Sequence, residues 1–211
     1  MIDEGYTKFS VRWTDRSPLG DDMVRELERW RRPLFDAGLV GHYEGPGIGY
    51  GNISIRTSGC GLFVVSGTQT GHLARTDGRH YALVTHADID DNSVTCRGAT
   101  QASSESLTHA ALYELDLAIN AVVHVHSPEL WERLKDSVPT ADAAVAYGTP
   151  DMAREFRRLY RETSLAATGV AVMAGHEAGL VSIGGSLEEA ANRILALHAE
   201  MTVQSGEVIE Q

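Results

Sequence analysis

The sequence has few cysteines, no long apolar run and no excess of basic residues. Its two cysteines, Cys60 and Cys96, cannot form a disulfide framework, and we expect both to be reduced thiols. No segment approaches the roughly 18 apolar residues of a membrane-spanning helix, and the polar N-terminal segment lacks the apolar centre of a signal peptide. These absences predict a cytoplasmic protein that does not enter a membrane.

The chain is acidic, because it has 18 Lys and Arg residues but 29 Asp and Glu residues, which gives a net charge of −11. A protein that follows the phosphates of a nucleic acid needs a basic face, so this composition argues against nucleic-acid binding. A small anionic substrate stays compatible with it, because a few local hydrogen-bond donors can bind one phosphate.

The 211 residues fit one domain, and no repeat or long linker divides them. Residues 1–20 have no clear periodicity and are expected to form a surface arm. Five of the eleven residues in 41–51 are glycine, which predicts sharp turns or close backbone approaches there. Elsewhere apolar spacing predicts helices over about 21–36, 104–118, 128–135, 151–161 and 187–203, and strands over 53–57, 62–66, 81–85, 93–96, 121–126, 170–174 and 180–183.

The predicted order does not alternate one strand with one helix, as a dinucleotide-binding fold does. It favours an α/β fold with a single domain, residues 1–211, in which helices flank a central antiparallel or mixed β-sheet.

A pair of histidines lies in the strand predicted over residues 121–126. Side chains alternate between the two faces of a strand, so His124 and His126 point the same way while Val123 and Val125 point into the core. Two imidazoles side by side suit zinc and other divalent first-row metals. A catalytic metal needs a third ligand, and His176, which follows an apolar strand between glycines, is the candidate; an exposed turn histidine is the alternative.

A serine-rich segment precedes the helix predicted from residue 104. Ser103 and Ser104 lie where the N–H groups and dipole of a helix favour an anion. Glu105, in the first turn, is either a capping carboxylate or a general base close to a metal-bound substrate. His109, one turn later, is expected to be a core residue or a neighbour of the site rather than a ligand.

Two turns that follow or precede strands are candidate anion cradles. Asn52 can donate an amide hydrogen bond at the start of one strand. Ser66, Gly67 and Thr68 follow another strand and are expected to offer hydroxyls and free backbone N–H groups. Each turn is also common for steric reasons alone.

Taken in order, these segments resemble the class II aldolase/adducin family. The likeness runs from about residue 51 to 196 and is carried by six motifs that occur in the same order as in the family. They are GNIS at 51–54, FVVSGT at 63–68, SSE with a histidine four residues later at 103–109, VHVHS at 123–127, YGTP at 147–150 and GHEAG at 175–179.

The resemblance implies a function and the residues that carry it. It implies a divalent-metal site, zinc-type, with manganese, iron and cobalt also compatible, and Glu105 as the catalytic acid/base. It further implies a homotetramer and a lyase that cleaves a C–C bond of a small hydroxy-carbonyl substrate, a sugar phosphate, through a metal-stabilised enediolate. The implied metal ligands are His124, His126 and His176, and the implied phosphate-binding residues are Asn52, Ser66, Gly67, Ser103 and Ser104.

The sequence departs from the aldolase pattern near residue 144. The position at which aldolases of this family carry a tyrosine acid is Ala144, and Tyr147 is the nearest phenol. An epimerase, dehydratase or decarboxylase that uses the same metal chemistry is therefore an alternative. A non-catalytic adducin-like scaffold is a further alternative, but such a protein has no reason to retain the complete set of ligands.

Overall fold

The computed structural model of the chain describes residues 7–44, 47–58 and 62–207, the last five of them as backbone only. The predicted thiol Cys60 lies outside the described residues, and Cys96 is a buried free thiol as expected. The helices and strands are, in chain order, β1 (Ser10–Trp13), α1 (Asp21–Asp36), β2 (Gly41–Tyr43), β3 (Ile48–Tyr50), β4 (Asn52–Arg56), β5 (Phe63–Ser66), a 3-10 turn (Gly78–His80), β6 (Tyr81–Asp88), β7 (Ser93–Arg97), α2 (Ser106–Leu115), β8 (Ala121–His126), α3 (Pro128–Leu134), β9 (Thr140–Ala141), α4 (Pro150–Glu162), α5 (Leu165–Thr168), β10 (Val170–Met173), β11 (Gly179–Gly184) and α6 (Leu187–Glu207).

A nine-stranded sheet forms the centre of the described fold, in the order β1-β7-β6-β5-β4-β8-β11-β10-β9. The pairs β1–β7 and β9–β10 are parallel, and the other six pairs are antiparallel. The predicted α/β fold with helices that flank an antiparallel or mixed sheet is therefore confirmed, and the sheet is mostly antiparallel. Strands β2 and β3 form a separate hairpin.

Helices cover both faces of the sheet. One core contains Leu107 of α2 and Phe156 of α4, and the other contains Leu27 of α1 and Ile194 of α6. Helix α1 packs against the sheet along one face, because its buried residues recur every three or four positions. Strand β8 is buried along its whole length because it lies in the middle of the sheet between β4 and β11.

Several parts of the chain differ from the sequence-based predictions. Residues 10–13 lie in the expected surface arm but form β1, an edge strand of the sheet. The glycine-rich segment that starts at residue 41 is not a turn alone, because it forms the β2–β3 hairpin. Helix α2 is also shorter than predicted and begins at Ser106, directly after Glu105.

Candidate active site

Strand β8 presents two histidines on the same face of the sheet. His124 and His126 are almost completely buried, and their Nε2 atoms lie 3.0 Å apart. Val123 and Val125, which point to the opposite face, pack into the core beneath α1 and α6. The alternation of the strand thus supplies two imidazoles to the site and two valines to the core.

The third histidine comes from the turn between β10 and β11. The backbone of His176 closes this turn by donating to the Met173 carbonyl and accepting from the Gly179 N–H. Gly175 allows the loop before Tyr147 to approach, since a Cβ at this position would lie 2.0 Å from the carbonyl oxygen of Val145. One ring nitrogen from each of the three histidines lies within 4.8 Å of the others, so the predicted ligands are brought together.

Glu105 points at these histidines and does not cap its helix. Its side chain makes no capping hydrogen bond, although it is the N-cap residue directly before α2. One carboxylate oxygen, Oε2, lies 2.9 Å from Nε2 of His124, and the other, Oε1, lies 3.4 Å from Nδ1 of His176. The carboxylate is only 4% exposed, so the cluster is largely screened from water.

The hydrogen bonds around His124 indicate that the cluster needs a cation. Nδ1 of His124 donates to the carbonyl oxygen of Leu180 over 3.0 Å, because a carbonyl can only accept. In neutral His124, Nε2 then carries a lone pair, and this lone pair faces both the Glu105 carboxylate and Nε2 of His126. Electron-pair donors that converge in a buried space require protons or a metal ion between them. Three imidazoles are also a common ligand set of catalytic zinc, so the residues fit a divalent metal.

The charges of the cluster act on one another. Burial alone would raise the pKa of Glu105, but electrostatic attraction and hydrogen bonding from His124, followed by His176, hold it well below its usual range. Burial and the neighbouring histidines also hold the pKa of His126 well below its usual range. Glu105 is therefore ionised at neutral pH, and His126 is neutral, which is the form that binds metals.

A cavity that is partly open to solvent lies over this cluster. None of the described residues that line it is Lys or Arg, so an anion in it must be bound by hydroxyls, amides or a metal. Its walls consist of Gly49, Tyr50, Gly51, Asn52, Gly67, Thr68, Gln69, Thr70, Gly71, Ser103, Ser104, Glu105, His124, His126, Tyr147 and His176.

Four of the five predicted phosphate-binding residues line this cavity, and Ser66 does not. The Ser66 hydroxyl accepts from the Ile53 N–H over 3.1 Å and donates to the Ile53 carbonyl, so it is used within the sheet. Asn52 lines the cavity, but its amide donates to Glu105 over 2.9 Å. Ser103 and Ser104 are buried at the start of α2, beside Glu105.

The expectation of free backbone N–H groups after β5 is wrong. The Gly67 N–H donates to the His80 carbonyl, and the Thr68 N–H donates to the Gln101 carbonyl. Gly67 has a steric role as well, since a Cβ there would lie 2.1 Å from the Thr100 side chain. The turn closes the cavity wall but uses these two amides internally.

A buried arginine holds the remainder of that wall. Arg31 of α1 is 2% exposed, and its guanidinium donates to the carbonyl oxygens of Leu73 over 2.7 Å, Thr70 over 2.9 Å and Gly71 over 3.3 Å. Three acceptors in one loop satisfy the forked donors of a guanidinium. Helix α1 thereby fixes the loop that closes one side of the cavity.

Three tyrosines surround the histidines, and Tyr50 among them carries no signal in the sequence. The hydroxyl of Tyr43 lies 2.9 Å from Nδ1 of His126, and the Tyr50 ring is stacked on His126 with the centroids 5.2 Å apart. Tyr147 is buried, with its ring centroid 4.3 Å from that of His176. His42, which precedes Tyr43 in the hairpin, is exposed and does not line the cavity.

His109 has the expected role of a neighbour. It is buried on α2, and its Nδ1 lies 2.7 Å from the hydroxyl of Ser54. It is not part of the group of histidines that can hold a metal. Ala144, at the position of the family tyrosine, is exposed in the loop that leads to Tyr147.

Comparison with known families decides the relationship. Residues 32–205 match the sequence profile of the Class II Aldolase and Adducin N-terminal domain. The chain belongs to this family. No curated protein sequence matches this class II aldolase/adducin chain significantly. Among the described residues, no helix is both long and apolar enough to cross a bilayer.

Several solved structures have a similar fold. L-fuculose-1-phosphate aldolase from Thermus thermophilus shares 20% identity with this aldolase/adducin chain, with a TM-score of 0.64 over 90% of this chain and 95% of that one. YgbL from Escherichia coli, for which aldolase, epimerase and decarboxylase activities are suggested, shares 22% identity, with a TM-score of 0.60 over 85% and 86%. A sugar-phosphate aldolase from Thermotoga maritima shares 16% identity, with a TM-score of 0.63 over 89% and 96%. These likenesses show the fold.

Proposed function

We propose that this protein is a divalent-metal-dependent lyase that cleaves a C–C bond of a small hydroxy-carbonyl compound, with a sugar phosphate as the substrate class. The observation that carries the proposal is the convergence of three buried imidazoles and one ionised carboxylate in a single cavity. Family membership supports an enzyme of this superfamily, and several of its structural neighbours carry the name aldolase.

His124, His126 and His176 would hold the metal, and zinc is the proposed ion, although manganese, iron or cobalt also suits imidazole ligands. When bound, the cation supplies Lewis acidity, which stabilises the negative charge that develops on the carbonyl oxygen of the substrate. The depressed pKa of His126 keeps this ligand neutral and ready to bind.

Glu105 is the proposed acid/base. Its carboxylate is ionised, lies at the floor of the cavity and receives the Asn52 amide as a hydrogen-bond donor. An ionised carboxylate in this position can take a proton from a substrate hydroxyl or an activated carbon and return it later in the cycle. Burial keeps bulk water from competing for that proton.

Cleavage also requires an acid or base near the other end of the substrate, and we assign this role to Tyr147. Ala144 cannot transfer a proton, whereas Tyr147 lies in the cavity wall beside His176. Lys8 places its Nζ 3.9 Å from the centre of the Tyr147 ring, and this cation–π contact helps to hold the ring in place.

The substrate phosphate would be bound at the start of α2. Ser103 and Ser104 provide hydroxyls there, and the N-terminus of the helix provides a partial positive charge. Gly67 and Asn52 line the same cavity, the Asn52 amide donates to Glu105, and the Ser66 hydroxyl is bonded to Ile53 within the sheet.

The second candidate is an epimerase, dehydratase or decarboxylase with the same metal site. Ala144 favours it, because these reactions do not need the acid that the aldolases carry at this position. The buried cluster argues against a non-catalytic scaffold. Burying four titratable groups costs stability, and a scaffold that binds no metal or substrate there would gain nothing in return.

The test begins with the metal content of protein purified without chelators. We expect one divalent ion per chain, loss of this ion in a His124→Ala/His126→Ala variant, and retention in the exposed control His86→Ala. Product analysis on a panel of ketose phosphates and hydroxy acids then separates cleavage from epimerisation, dehydration and decarboxylation. Metal-free wild-type protein, or a Glu105→Gln variant with full activity, would contradict the proposal.

The proposal also covers the oligomeric state and the cellular location of the protein. A cytoplasmic homotetramer is expected for an enzyme of this kind. Light scattering of the purified protein, which gives the mass of the assembly in solution, tests the tetramer directly.

A further inference from the structure

The β2–β3 hairpin brings a hydroxyl to the outer nitrogen of a proposed metal ligand. Tyr43, the last residue of β2, places its hydroxyl oxygen 2.9 Å from Nδ1 of His126. The other nitrogen of the same ring, Nε2, points inward to Nε2 of His124. The two nitrogens of His126 therefore face different partners, one in the metal cluster and one in the hairpin.

The plane of the His126 ring is fixed from the same hairpin. The Tyr50 ring is stacked on His126 at an interplanar angle of 28°, and the centroids of Tyr43 and Tyr50 lie 4.7 Å apart. The Tyr50 hydroxyl in turn donates to the Gly38 carbonyl over 3.1 Å, which attaches the hairpin to the end of α1. These contacts restrict rotation of the imidazole about its own bonds.

We infer that Tyr43 is a positioning residue that sets the tautomer and orientation of His126 for metal binding. An imidazole that binds through Nε2 must carry its hydrogen on Nδ1, and this hydrogen needs an acceptor in a buried place. The Tyr43 hydroxyl oxygen can accept this hydrogen, so it stabilises the tautomer whose Nε2 is free to bind the metal. The inference rests on the proposed function, because it assumes that the histidines bind a metal.

The experiment measures zinc affinity by competition with a chromogenic chelator, using zinc ion alone. We expect Tyr43→Phe to weaken affinity about 10- to 100-fold, the usual cost of losing such a partner, and the control Tyr160→Phe to change it less than about twofold. The control removes one tyrosine hydroxyl that bonds Asp116 over 2.8 Å, away from the metal cluster. Thermal unfolding of both variants shows whether the fold is kept.

A second measurement on the wild-type protein does not depend on any variant. Long-range proton–nitrogen NMR of the histidine rings in the zinc-loaded protein should show His126 with hydrogen on Nδ1 and zinc on Nε2. A His126 ring that binds zinc through Nδ1, or equal zinc affinity in wild type and Tyr43→Phe, would overturn this inference alone. Wild-type protein that binds no zinc or other divalent ion would overturn the proposed function and this inference with it.

Discussion

The side-chain amide of Asn52 donates a hydrogen bond to Oε2 of Glu105 over 2.9 Å. The register of the sheet explains the contact: Asn52 of β4 is paired with His124 of β8, and Oε2 of Glu105 lies against both side chains. A donor in this place stabilises the ionised carboxylate and fixes its orientation. Asn52 therefore supports the proposed acid/base Glu105, whether or not it also contacts a substrate.

Replacing Asn52 should impair catalysis without removing the metal ligands. A hydrogen bond to a charged group contributes about 1.5–3 kcal/mol, so we expect Asn52→Leu to lower kcat/KM about 10- to 100-fold. Asn120→Leu is the control, because the Asn120 side chain bonds only the nearby Ala118 carbonyl among the contacts described. Steady-state kinetics with the active substrate, at equal metal content, gives the answer; equal kcat/KM in the two variants would remove Asn52 from the mechanism.

The role of Tyr147 separates the two candidate reactions. If Tyr147 is the second acid of a lyase, Tyr147→Phe should lower kcat about 100-fold or more and change KM little, because only proton transfer is lost. Tyr160→Phe again serves as the control. Full turnover by Tyr147→Phe, combined with products of epimerisation or decarboxylation, would favour the alternative reaction.

His109 should make stability depend on pH. Burial, outweighing the attraction of the Glu105 charge, lowers the pKa of His109 to about 3 from its ordinary 6.5. Between these values the unfolded chain binds a proton that the folded chain does not, so the free energy of unfolding falls as the pH is lowered from about 6.5.

We expect the wild type to lose about 2 kcal/mol more than His109→Gln between pH 7 and pH 5. Urea unfolding of both proteins at the two pH values measures this difference, and groups that titrate in both proteins cancel. Parallel losses in the two proteins would show that His109 is not the titrating group.

Arg31 should be essential for the cavity wall. Arg31→Met leaves three loop carbonyls without their donor, and we expect the free energy of unfolding to fall by about 2–4 kcal/mol. The next residue offers a matched control, because Arg32 makes only an exposed ion pair with Asp36, and Arg32→Met should cost less than about 1 kcal/mol. Urea unfolding compares the two variants, and similar values would mean that the loop does not depend on the arginine.

The sequence predicted the parts of the site whose signals are local. His124 and His126 alternate with valines inside one strand, and His176 stands between glycines at the end of another, so spacing alone indicated both places. The contact between Tyr43 and His126 joins residues 83 positions apart, and no local pattern contains it. The bonding of the Ser66 hydroxyl escapes a reading of the sequence for a similar reason, because its partner Ile53 lies on the neighbouring strand and only the strand register reveals it.

The same reasoning explains the fold. Buried strands such as β8 and helices such as α4 have strong apolar patterns, and both were predicted close to their bounds. Strand β1 is an edge strand with no fully buried residue, so its sequence does not need to alternate. Strand β9 has two residues, too few for any period to be recognised.

Metal binding at the proposed site would show whether strand β8 has paired in the correct register. A shift of this strand by one residue against its neighbours would turn both imidazoles into the core beneath α1 and α6 and bring Val123 and Val125 to the cavity. A chain in which β8 pairs in the wrong register would therefore lose both the metal site and the apolar packing of this strand. The stoichiometry of bound metal in a purified sample would then count the molecules that reached the native sheet, which gives a simple assay of refolding yield that needs no substrate.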